Sequence, residues 1–210
     1  MRLTRQMVSW KNLSLLSALL LLQLSGCTAT SSEDNDTTNT FITIVTMVGQ
    51  SFDGTTQVEG SDVFSDVCIT TEDNPTTCVV SNDNGIVTMQ AQPKNLTDVS
   101  SLVNDIVFTR YRVTFVRADG RNVPGVDVPY PFDGVANFRV PVDGTEVTRV
   151  FMLVRNQAKL ESPLNELTRL GGSLVISTIA RVDFFGQDLA GRQLQVTGFI
   201  NVTFADYAND

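Results

Sequence analysis

The chain contains no histidine. That single absence removes histidine triads, histidine metal ligation and histidine pH switching together. Lysine is almost as scarce: after Lys11 only Lys94 and Lys159 occur, and neither follows a serine at the spacing that would pair a hydroxyl nucleophile with a lysine base. Trp10 is the only tryptophan, and the three cysteines include no C-x-x-C pair, so nothing here has the redox-motif spacing. Basic residues are outnumbered 15 to 23, a net charge of −8. A surface of that sign repels phosphate backbones and anionic headgroups, which argues against nucleic acid as a partner and against polybasic membrane docking. No apolar run reaches the roughly 20 residues that a spanning helix needs. No pattern implies a metal or a cofactor, and neither the EF-hand loop nor the glycine-rich nonapeptide repeat is present.

The longest apolar stretch covers residues 13–24, and its surroundings explain its shortness. Arg2, Arg5 and Lys11 precede it, Ser25 and Gly26 follow it, and a strongly polar tract begins at Thr28. A positive start, about twelve apolar residues and small residues at the end make a secretory signal rather than a membrane span. Leu24, Ser25, Gly26 and Cys27 resemble the lipobox of bacterial lipoproteins. The resemblance implies cleavage before Cys27 and a diacylglycerol thioether on it, so that residues 1–26 are removed and the protein is exported and lipid-anchored to a membrane. The alternative is an ordinary cleaved signal with Cys27 incidental. Thr28 stands where an aspartate would favour inner-membrane retention in Gram-negative members, so the resemblance points to the outer membrane.

Without residues 1–26, 12 basic residues face 23 acidic ones, a net charge of −11. If Cys27 carries lipid, Cys68 and Cys78 are the remaining thiols, and an oxidising compartment offers them one connectivity. Between them lie Glu72, Asp73, Asn74 and Pro75, a turn cluster joining two short apolar runs. Closing a loop of this size is worth roughly 3 kcal/mol. Residues 27–40 read as the lipidated cysteine and a flexible tether reaching on the order of 20 Å.

Residues 41–210 are expected to form one β-sandwich domain, or two closely packed sandwiches. β-branched and aromatic residues occur in short runs separated by turn signals. Strands are expected over 41–48, 63–70, 77–80, 85–90, 105–116, 134–142 and 146–154. Within 105–116 the inward face is read as Val107, Tyr111, Val113 and Phe115. Residues 146–154 are apolar on both faces, which suits a central strand. A C-terminal hairpin alternates from Leu174 to Phe184 and again from Leu194 to Phe204. Turns are expected at Asp53-Gly54, Asp83-Asn84-Gly85, Asp119-Gly120, Asp133-Gly134 and Asp143-Gly144; the same clusters could serve as calcium loops. Helix is confined to two turns after Ser162-Pro163, with Leu164 and Leu167 on one face, and a second short piece near Leu102. This is an all-β, antiparallel two-sheet sandwich with at most one or two short helices. The strand rhythm is similar to that of the immunoglobulin-like domains of bacterial envelope proteins.

Candidate contact residues are few. Residues 123–132 hold Pro124, Pro129 and Pro131, which keeps the segment out of a central strand. It brings Tyr130 and Phe132 forward either as contact aromatics for a protein or sugar or as inward-facing residues of a sheet crossover. Arg110 and Arg112 could receive an anionic ligand or pair with carboxylates across strands. Asp183 and Asp188 are acids that a glycosidase could use. The expectation is a non-enzymatic binding or structural module in the envelope with a protein partner; the alternative is a carbohydrate-binding or carbohydrate-processing sandwich.

Overall fold

The computed structural model describes residues 37–52, 57–71, 74–95, 97, 101–170 and 174–207. Cys27, the lipobox-like stretch and the Asp53-Gly54 turn lie outside the described residues. Eleven strands run in the order β1 (Thr40–Phe52), β2 (Gln57–Gly60), β3 (Asp62–Asp66), β4 (Ile69–Thr71), β5 (Asn74–Val79), β6 (Asp83–Pro93), β7 (Ile106–Val116), β8 (Phe132–Val140), β9 (Val147–Val154), β10 (Ile176–Asp188) and β11 (Gln193–Ala205). Among the described residues the helical pieces are one turn, α1 (Asn156–Lys159), and 3₁₀ segments at Leu102–Asn104 and Leu164–Leu170. One sheet has the order β2-β1-β6-β9, the other β3-β11-β10-β7-β8, and β4 pairs with β5 apart from both. Their apolar faces meet in one core, as the alternation of inward and outward side chains requires of a sandwich. One pairing departs from the antiparallel expectation: β3 runs parallel to β11, with Val63 beside Val202.

Phe184 on β10 sits at the centre of that core. Its ring lies 5.3 Å from Phe151, 5.9 Å from Tyr111 and 6.2 Å from Phe108, so it touches strands of both sheets. Truncating a fully buried phenylalanine costs about 3–5 kcal/mol. The C-terminal hairpin is the most regular part, with an unbroken register from Ile176 opposite Phe204 to Gln187 opposite Gln193.

Four local expectations change. In β7 a bulge lies between Phe108 and Arg110, which moves the inward face by one residue. Ile106 and Phe108 are therefore buried with Tyr111, Val113 and Phe115, and Val107 turns away from the core. Residues 147–154 form an edge rather than a central strand, pairing only with β6. Val150 is accordingly 61% exposed. Asp83-Asn84-Gly85 begins β6 and Asp133-Gly134 lies within β8. Neither is a turn, because each glycine makes room for a ring: a Cβ at Gly85 would stand 2.2 Å from Phe151, and one at Gly134 2.2 Å from Tyr111. The turns at Gly120 and Gly144 do hold, each glycine having a positive φ, and Gly191 takes the same conformation between β10 and β11. Finally, the end of the expected tether is packed against the domain. Thr38 and Thr40 are buried, and the Thr40 hydroxyl donates to the Asn104 carbonyl at 2.8 Å.

Candidate functional site

The residues singled out in the sequence are dispersed. Cys68 and Cys78 are joined in a disulfide with their Cα atoms 5.1 Å apart, beside the β4–β5 pair. Arg110 and Arg112 project from β7 on the outer face of the five-stranded sheet, and both reach Asp133 on the neighbouring β8, at 3.1 and 2.9 Å. The Arg110 guanidinium also lies 3.8 Å above the Phe185 ring. This is cross-strand pairing in an exposed setting, with the carboxylate shared between two cations. The two aromatics of the proline-rich segment divide: Tyr130 is 50% exposed, whereas Phe132 is 7% exposed and packs inward against Tyr111. Tyr130 lies across Gly125, whose positive φ of 77° and lack of a side chain let the ring approach closely.

A concave surface lies beside that segment. A cleft of about 320 Å³ runs between the β7–β8 connection and the 3₁₀ segment Leu164–Leu170. Arg117, Arg121 and Asp127 line one wall, and Val126, Leu167 and Leu174 supply apolar surface. Its loop is braced by charge. The Asp119 carboxylate accepts from Arg117 at 2.7 Å and from Arg121 at 2.8 Å, and those two guanidiniums, Arg117 before Arg121, hold it well below the usual carboxylate range. Reciprocally, Asp119 raises Arg121 above its ordinary value. Asp127 closes the next turn by accepting the Val123 N–H at 3.1 Å. Val123, Val126, Leu174 and Val175 are all more than half exposed around the opening. An apolar mouth with fixed guanidiniums suits a peptide or protein segment better than a small polar substrate.

No protein-family model, curated protein or solved structure matches the chain.

Asp183 and Asp188 do not face a common space. Asp183 lies on the outer face of β10, where it accepts from Arg181, Gln195 and Thr197 at 3.0, 3.0 and 2.6 Å. Asp188 is buried at the strand end and organises the hairpin turn through the Ala190 and Arg192 N–H groups and the Arg192 guanidinium. Among the described residues no cluster of three or more acidic or cysteine side chains could hold a metal ion.

Two features were not anticipated. Val48, Ile86 and Val150 stand side by side across β1, β6 and β9, an apolar row on the outer face of the four-stranded sheet. The both-faces apolarity of residues 146–154 was its sequence signal. The second feature is the wholly buried pair Lys159 and Asp83, which no local pattern signals, since the two residues lie 76 positions apart.

Proposed function

We propose that this chain is a lipid-anchored protein of the cell envelope, tethered through Cys27 with the outer membrane as its destination. Its β-sandwich acts as a non-enzymatic binding or structural module for an envelope protein. The observation that most supports the reading is the Cys68–Cys78 disulfide. It accounts for two of the three cysteines, and the third stands directly after Leu24, Ser25 and Gly26, where the lipobox pattern puts it. A disulfide also suits an oxidising compartment outside the cytoplasm. The cleft lined by Arg117, Val126 and Leu174 is the surface through which a partner segment would be held.

Mass spectrometry of the mature N-terminus tests the anchor. Acylated Cys27 is expected, and Cys27→Ser should release the protein from membranes or leave it unprocessed; an unmodified N-terminus elsewhere refutes the reading. Binding is tested by crosslinking in intact cells. Val126→Asp with Leu174→Asp should abolish a specific envelope crosslink that the folded parent gives. A second reading, carbohydrate binding, draws on the half-exposed Tyr130 ring that lies close against Gly125, an aromatic on which a sugar face could stack. Specific glycan binding lost in Tyr130→Ala would favour it over the protein-partner reading.

A further inference from the structure

Lys159 and Asp83 are the most enclosed charged pair of the described residues. The Lys159 ammonium lies 3.0 Å from Asp83 Oδ2, and both side chains have no solvent exposure. Burying two ions is costly unless further hydrogen bonds satisfy them. Yet Nζ has no hydrogen-bond partner of good geometry beyond this contact, an arrangement poor for an ion pair and apt for a nucleophile held against a carboxyl.

The surrounding chain fixes the encounter. Asp83 is the first inward position of β6, in phase with Val87, Met89 and Ala91, so its side chain must enter the core. Val154 pairs with Asp83 across β6 and β9, and the Asn156 N–H donates to the Asn82 side-chain oxygen at 2.7 Å. That clamp leads directly into α1, whose last residue, Lys159, turns inward. From β3, the Ser65 hydroxyl donates to Asp83 Oδ2 at 2.5 Å. The neighbouring Asp66 is buried as well; desolvation raises its carboxyl above the ordinary value, and the charge of Lys159 is near enough to pull it partly back. The region is thus poor in water, the condition under which amine and acid condense rather than hydrolyse.

We infer that Lys159 and Asp83 are joined by an intramolecular amide, formed by the folded chain on itself. Transfer of one proton from Nζ to an Asp83 oxygen converts ammonium and carboxylate into amine and acid. The Nζ lone pair then attacks Asp83 Cγ. The Cγ–O bond to the protonated oxygen breaks, a proton from nitrogen leaves with it, and one water molecule departs. Neither oxidant nor external co-reactant is required. The Ser65 hydroxyl is placed to stabilise the negative charge that develops on the carboxyl oxygen. The bond would staple β6 to the segment after β9, a second covalent closure besides Cys68–Cys78 and one that reducing agents do not open.

Peptide mapping of the full chain decides the matter. Trypsin cuts after arginine and free lysine, so the amide predicts that the Lys159-Leu160 bond resists cleavage. It also predicts that the fragment ending at Arg169 remains attached to the one carrying Asp83, one water lighter than the two separately. Lys159→Arg keeps the charge but should yield only separate fragments, as should Asp83→Ala. Complete cleavage after Lys159 in the denatured, reduced parent protein, with the unlinked masses of both fragments, would overturn the inference and leave a buried ion pair. That outcome would not touch the lipid-anchor reading, which concerns Cys27 alone.

Discussion

Tyr111→Phe isolates one hydroxyl that ties the two sheets together. Strand β9 ends its sheet, and an edge presents unpaired backbone groups. At Met152 these groups are met from the opposite sheet. The Tyr111 hydroxyl accepts the Met152 N–H at 3.1 Å and donates to the Met152 carbonyl at 3.1 Å. Two hydrogen bonds at about 0.5–1.5 kcal/mol each would give roughly 1–3 kcal/mol. Because Met152 is 37% exposed, water can recover part of the loss, and about 1–2 kcal/mol is expected. The ring contacts with Phe151 and Phe184 persist in the variant, so no cavity term is added. Urea unfolding should show a lower midpoint with an unchanged slope, and at this domain size each kcal/mol lowers Tm by about 2–4 °C. Burial also raises the phenol above its ordinary value of 10.0. A raised folded-state value means that this contribution is complete below pH 10 and is lost as pH climbs through the folded-state value, so parent and variant should converge in stability in alkali. An unchanged midpoint at neutral pH, or a stability gap that persists at high pH, would refute the role given to this hydroxyl.

Other outcomes follow from the same geometry. Gly85→Ala forces a methyl group into the Phe151 ring and should cost about 1–3 kcal/mol by overpacking, read as a lower Tm. Asp133→Ala releases Arg110 and Arg112 from a largely exposed carboxylate and should change stability by less than about 1 kcal/mol; a larger loss by urea titration would mean that the pair does more than decorate the sheet. The raised Asp66 carboxyl binds its proton more tightly in the folded than in the unfolded chain. Stability should therefore fall as pH rises from its ordinary value of 3.8 through its folded-state value. Asp66→Asn should flatten that part of the pH profile in calorimetry.

The hairpin of β10 and β11 was legible because strict alternation over a dozen residues leaves a strand one way to bury its apolar side. Ile176, Ala180 and Phe184 follow it to the residue. The runs around Cys68 and Cys78 were legible only in part: a linked pair of short strands is there, but the expected strand 63–70 divides into β3 and β4 of different sheets, and β5 begins at Asn74 within the expected turn. Periodicity misleads where it is interrupted by neighbours rather than by the chain itself. The bulge after Phe108 is visible only as a register shift against β8, so Val107 seemed to continue the inward series. Glycines at 85 and 134 looked like turn signals, although each exists to admit an aromatic ring from another strand. Of the candidate cleft, the proline-rich segment supplies one side, and Leu167 and Leu174 come from a distant part of the chain.

What the amino-acid order determined by itself is local and compositional. It excluded histidine chemistry, set an acidic composition, placed at Leu24 to Cys27 a stretch that resembles a lipobox and carries the export proposal, and alternated side chains so that two sheets must share a core. What only the tertiary structure decided is long-range pairing. β3 beside β11, Tyr111 on the β9 edge, and above all Lys159 against Asp83 join positions whose separation in sequence carries no periodic signal. Periodicity can say that a residue faces inward; which residue it meets there depends on how the whole sandwich closes.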